Sequence, residues 1–273
     1  MATQSLAQSS GVIRYEEKTD VHKMLPPGME SMKTMIPRYS STVFRLYFNE
    51  SESIYKAIEV DQPPVQAFGG GGFGGPGGPP GGGAPGGGPP GGVVVIGGGG
   101  GPPPGGGSGG FRGGFGGTSL TDQVHTGNDM ITAAKEFLGQ SYFIHDTLKV
   151  APWKFGAEKR TILGYECSVA YYTDNSNPAA PVEVTAWYTA KIRPFVGPDY
   201  FNSVPGGILA LDFNAGEHYW VARKIELRPL TEEEKIEVPI AKKNAKPATI
   251  VSFEKAKVEQ MEQMRSRMGG MRR

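Results

Sequence analysis

Cysteine is nearly absent from this chain. Cys167 stands alone, which excludes an intrachain disulfide and any metal site built from several cysteines. Charge of one sign is also lacking. The formal net charge of +1 over 273 residues gives no bulk field for nucleic acid or an anionic membrane. No stretch approaches the run of about 18 apolar residues that a membrane-spanning helix needs. Catalytic signatures are missing too. The four histidines, His22, His125, His145 and His218, form no HExxH pair, and there is no GxSxG and no phosphate loop followed by Lys-Ser/Thr. Lone histidines on strands read as structural. Cys167 falls on the apolar side of its segment and reads as a buried, unreactive thiol. No motif calls for a metal or a cofactor.

Glycine and proline are in excess instead. Most of the 42 glycines and many of the 23 prolines fall in residues 69–117. Such a block cannot bury enough apolar surface to offset its ordering entropy, so disorder is expected there. It holds a single arginine, Arg112, which argues against an RNA-binding segment, since phosphate affinity grows with the number of basic contacts. A surface-loop insertion is the simpler reading, because loop-closure cost grows only logarithmically with length.

Outside that block the pattern is that of short strands. Residues 11–23 alternate, with Ile13 and Tyr15 against Arg14 and Glu16. Residues 42–48 put Phe44, Leu46 and Phe48 on one side, and Asn49-Glu50-Ser51 turns them into a second strand over 53–60. Strand character returns over 119–126, 131–144, 153–155, 159–163 and 165–172. Residues 182–189 put Val182, Val184, Ala186 and Tyr188 opposite Trp187. A hairpin over 207–227 turns at Asn214-Ala215-Gly216, with Tyr219, Val221, Ile225 and Leu227 expected on one face. Regular strands and turns predict a mainly β fold, a curved antiparallel sheet or incomplete barrel. Two helical segments interrupt it. Met29, Met32, Met35 and Ile36 share one side of a short turn and read as core filling, the alternative being an adaptable binding surface. Residues 252–268 form a helix with Ser252 as N-cap, a stripe of Met261, Met264 and Met268, and a basic end at Arg265, Arg267, Arg272 and Arg273. The expected organisation is a leader or signal-peptide remnant over 1–10, one β domain over 11–230 interrupted at 69–117, and a polar linker with a basic, Met-rich helix over 231–273.

The densest aromatic stretch runs from Trp187 to Leu227. Within it, Phe201-Asn202-Ser203-Val204-Pro205-Gly206-Gly207-Ile208 resembles the signature of the GLPGLI family. Ser203 replaces its first glycine, Val204 its first leucine and Gly207 its second, while Pro205-Gly206 and Ile208 remain. Gly11-Val12-Ile13-Arg14-Tyr15-Glu16, the run from Lys159 to Cys167 and Val184-Thr185-Ala186-Trp187-Tyr188-Thr189 resemble its flanking strands. The resemblance implies a secreted, periplasmic or outer-membrane-associated protein of Gram-negative bacteria, with no activity attached. Ser5-Leu6-Ala7-Gln8 looks like the end of a signal peptide. The strand order also resembles periplasmic lipoprotein carriers, a fold-level analogy.

Physically, Pro205 fixes φ and Gly206 is expected at positive φ, so the signature turns a corner. The corner is expected to edge a groove lined by Trp187, Tyr188, Phe195, Tyr200 and Phe201, suited to an apolar ligand or a partner peptide. The leading expectation is therefore a non-enzymatic cell-envelope protein that binds a hydrophobic ligand or a partner protein. The C-terminal helix is a candidate peripheral membrane contact. The alternatives are an accessory subunit of an outer-membrane assembly, and a hydrolase using the carboxylates Asp199, Asp212 and Glu217.

Overall fold

A computed structural model describes residues 9–25, 30–58, 122–175 and 181–270. The leader over 1–8, the Gly/Pro-rich block, Met29, and Arg272 and Arg273 lie outside the described residues, as do the side chains of Met32, Met264, Arg265, Arg267 and Met268.

Among the described residues the fold is one open, mainly antiparallel sheet of twelve strands with a C-terminal helix. In chain order come β1 (Gly11–Asp20), the single-turn helix α1 (Val21–Met24), a 3-10 turn (Glu30–Thr34), β2 (Tyr39–Phe48) and β3 (Glu52–Ala57). Next are β4 (Gln123–Gly127), β5 (Met130–Phe137), β6 (Gln140–Thr147), β7 (Lys154–Ile162), β8 (Tyr165–Asp174) and β9 (Val182–Thr189). β10 (Gly207–Phe213), β11 (His218–Glu226), β12 (Lys246–Ala248) and α2 (Ile250–Gly270) complete the order. Across the sheet they run β12-β6-β5-β4-β3-β2-β1-β11-β10-β9-β8-β7. β1 sits in the middle. It pairs with β2, which starts one meander, and with β11, which ends the other. β3 pairs directly with β4, Glu52 opposite Gly127, so the connection over 58–122 is the loop of a hairpin.

Local chemistry sets the turns. Asn128-Asp129, Leu138-Gly139 and Leu163-Gly164 each close a two-residue hairpin with both φ angles positive. Those backbone angles match the right-handed twist of the flanking strands. Leucine at two of these positions is costly, and both leucines are exposed. Asp20 ends β1 and caps α1 by accepting from the backbone N–H groups of His22 and Lys23.

The core lies mainly on the inner face. Ile13, Tyr15, Phe44, Leu46, Phe48 and Tyr55 pack there with Ile208, Leu211 and Trp220. A smaller cluster of Val12, Tyr47 and Ile54 lies apart from it, covered by Leu230 and Ile236. The polar connector after β11 is thus partly a covering strap. Three expectations need correction. On β11 the inner face carries Trp220 and Ala222, both buried, and not the set of Tyr219 and Val221. Trp220 packs against Phe201 and Phe213. A bulge in the β1–β11 pairing beside Arg14 and Tyr15 then shifts the alternation, so Ile225 and Leu227 pack against the same core and the expected four do not share a face. Met35 is 82% exposed and fills no core. Helix α2 is capped by Thr249, three residues before the expected cap Ser252. Thr249 and Ser252 each accept the other's backbone N–H, and the Asp146 carboxylate accepts from Ile250 N. Phe253 of α2 is buried against Tyr142, at a ring separation of 5.0 Å.

Candidate functional site

The segment from Phe201 to Ile208 runs from the long β9–β10 connection, residues 190–206, into β10 at Gly207, and the connection plugs the inner face of the sheet. Ile192, Val196 and Val204 are its buried anchors. The chain reverses at Val204-Pro205-Gly206, where Gly206 N donates to the Val204 carbonyl at 2.8 Å. That is a three-residue turn about Pro205, whose fixed φ suits it. The expected reason for Gly206 does not hold: the described glycines at positive φ are Gly139, Gly164 and Gly216. Gly206 is needed for close approach, because a Cβ there would sit 2.3 Å from the Thr189 carbonyl oxygen. The left-handed residues of the plug are Phe195 and Asp199.

The plug is tied to elements from both halves of the sheet. Arg193 donates to the carbonyls of Asn49 and Glu52 at the β2–β3 turn. Asn202 donates to Thr126 of β4 at 3.3 Å. Ser203 accepts from Ala151 N at 3.0 Å and Trp153 Nε1 at 3.1 Å, ahead of β7. Tyr200 donates to Glu254 of α2. The Ser203 hydroxyl thus ties the 151–153 segment to the plug, together with the contact of the Trp153 ring with Tyr172 at 4.7 Å.

Beneath the plug lies a charged group in which Asp199 is the one residue expected from the sequence as a candidate carboxylate. Lys135 Nζ is 2.6 Å from Asp199 Oδ2 and 3.9 Å from Asp122 Oδ2, with all three residues buried. Burial opposes the ammonium charge, but Asp199 and Asp122 outweigh it and hold the Lys135 pKa above its usual value. Burial pushes the Asp122 carboxyl up to about 7, against the pull of Lys135. Glu17 accepts from His218 at 2.6 Å nearby on β1 and β11. Burial, with the charges of Glu17 and Asp199, raises the Tyr55 hydroxyl as well. Strand period alone could have found Lys135, which shares a side of β5 with buried Ile131, Ala133 and Phe137. A space of about 10 Å³ beside Lys135 and Tyr142 has room for one water.

The five aromatic candidates separate. Tyr200 and Phe201 are together, 5.1 Å apart, and join Phe213, Trp220 and His218 in an inner aromatic cluster. Trp187 and Tyr188 are consecutive on β9 and project to opposite sides of the sheet. Arg160 of β7 lies over the Trp187 ring at 4.7 Å, and Phe155 of β7 meets Tyr188 at 6.1 Å. Phe195 is exposed on the plug. Pro205 is exposed, and Gly206 and Ile208 are buried. The carboxylates separate too. Asp199 binds Lys135, whereas Asp212 accepts from Gly216 N and Glu217 from Asn214, stabilising the β10–β11 turn. Cys167 is buried, and burial pushes its thiol up to about 11. The four histidines hydrogen-bond to Ile36, Glu52, Thr132 and Glu17. Among the described residues no group of three His, Cys, Asp or Glu is placed to hold a metal ion.

The sheet also has an open margin. β7 runs nine residues and, among the described residues, pairs on one side only, with β8. Phe155, Leu163 and Tyr171 are exposed along this margin, with Val150 just before it. The opposite edge strand, β12, is three residues long.

No protein-family model matches the chain, and no curated protein matches it. Solved structures similar to it include PNGF-II in a C2 and in a P21 space group. Their TM-scores are 0.45 and 0.46 at 12% and 11% identity, each covering 90% of this chain and 32% of the other. The chain thus spans about a third of the length of these structures. At that distance the likeness carries no argument about activity.

Proposed function

We propose that the chain is a non-enzymatic cell-envelope protein whose curved sheet binds a partner protein. The observation that carries this reading is the nine-residue open edge β7 with its exposed apolar flank. An unpaired edge offers backbone donors and acceptors to another chain. Carriage of an acyl chain inside the sheet is disfavoured, since residues of the plug and of α2 pack in the core on the inner face. The envelope location rests on the resemblance of residues 201–211 to the GLPGLI signature. An accessory subunit of an outer-membrane assembly is one form this function takes.

Native mass spectrometry of the protein purified gently from its own envelope tests the reading. The expected result is a stoichiometric protein complex. A lipid-sized mass on an otherwise bare chain would overturn it in favour of a carrier, and a bare monomer would overturn both.

A further inference from the structure

We infer that β7 takes up an extended, acidic segment of the partner by strand addition. This rests on the partner-binding reading and names the chemistry of the same edge.

The argument begins with side-chain direction. Lys154 lies opposite Tyr171 on β8, and Arg160 lies opposite Cys167. Tyr171 and Cys167 are four residues apart on one strand, so both cations project from the same side of the sheet. Trp187 is on that side as well, opposite Val169. Phe155 and Lys159 project from the other side, opposite Ala170 and Ser168. Lys159 is neutralised within the chain, 3.2 Å from Glu166. Among the described residues, Lys154 and Arg160 have no carboxylate within ion-pair distance; Arg160 meets only the Trp187 ring. Both are exposed. The edge therefore carries two unneutralised cations about 14 Å apart on one side, and the exposed Phe155 ring on the other.

A strand laid along this edge alternates its side chains in the same way. It meets both demands when acidic residues four positions apart face Lys154 and Arg160, and apolar residues face Phe155. Main-chain hydrogen bonds supply affinity in such pairings and alternate side chains supply selectivity. The edge is not uniform. Two extra β7 residues are accommodated between Phe155 and Lys159, and a Cβ on Gly156 would come 2.5 Å from Val169. This bulge leaves Lys159–Ile162 as the straight run on which pairing starts.

The test uses the full chain and a capped twelve-residue peptide of alternating valine/threonine and polar positions, with two glutamates four residues apart. Two further peptides replace the glutamates by lysine or place proline at the centre. Binding is read by fluorescence anisotropy, and self-association by sedimentation. The glutamate peptide is expected to bind, the proline peptide not to bind, and the lysine peptide to bind about fivefold more weakly for each reversed charge. Arg160→Glu leaves Lys154 as the one cation of the pair and is expected to abolish the charge preference, and the exposure of Arg160 leaves folding intact. Equal binding of the glutamate and lysine peptides, or unchanged preference in Arg160→Glu, overturns the acidic assignment. Failure of the glutamate peptide overturns strand addition, while a complex in the envelope would leave partner binding standing. A dimer that Arg160→Glu abolishes assigns the edge to a second copy of this chain and overturns the separate partner.

Discussion

Asp122 and Gly206 show how single residues define the inner face. Asp122 has its carboxyl raised from 3.8 to about 7, mainly by burial, while its Oδ1 accepts from Glu136 N at 2.9 Å. A folded-state value above the unfolded one means that folding takes up a proton. The stability this group contributes is fully present below about pH 3.8 and is lost as pH rises through about 7. Asp122→Asn retains an oxygen for Glu136 N and cannot ionise. Denaturant unfolding of both proteins between pH 4 and pH 8 is expected to show the stability of the native protein relative to the variant falling across that window. A difference that is flat or rises would show that Asp122 is not held in its neutral form. Gly206 shows where sequence reasoning stops. Its position in a Pro-Gly corner was legible, but its cause was not. The Thr189 carbonyl that excludes a Cβ comes from the end of another strand, and sequence alone gives no distance between the two.

Elements were legible where side chains alternate, because a half-buried strand records its two faces in its own residues. The β2–β3 hairpin and the buried Phe44, Leu46 and Phe48 could be read that way. β11 shows the limit: both faces carry large apolar side chains, and the choice of Trp220 for the interior depends on Phe201 and Phe213 from elsewhere. Helix α2 is a second case. Its presence was legible, but its docking depends on Phe253 meeting Tyr142, Glu254 meeting Tyr200 and Gln260 meeting the Tyr142 hydroxyl. Among the described residues, Phe253 is the one buried side chain of the helix in the core cluster. Phe253→Ala is therefore expected to cost about 3 kcal/mol in a urea unfolding experiment. Loss below about 0.5 kcal/mol would show that the polar contacts alone hold the helix.

For the whole molecule, the main question is how the sheet accommodates so long a connection between β3 and β4. Composition marks residues 69–117 as unable to build a core, and register pairs Lys56 with Gln123 across the hairpin. The two meanders and the central β1 are completed by residues outside that connection, so the sheet does not depend on it for any described strand pairing. For a chain of that composition the closure cost rises by about 0.6 kcal/mol for each doubling in length. Cutting the connection to about eight residues of glycine and serine removes roughly three doublings. The shortened protein is expected to keep the β-sheet spectrum and gain about 2 kcal/mol in urea unfolding, with the binding at β7 unchanged. A shortened protein that fails to fold would show that the connection supplies contacts to the sheet. One that folds but loses its envelope partner would place recognition in the connection and not at the edge.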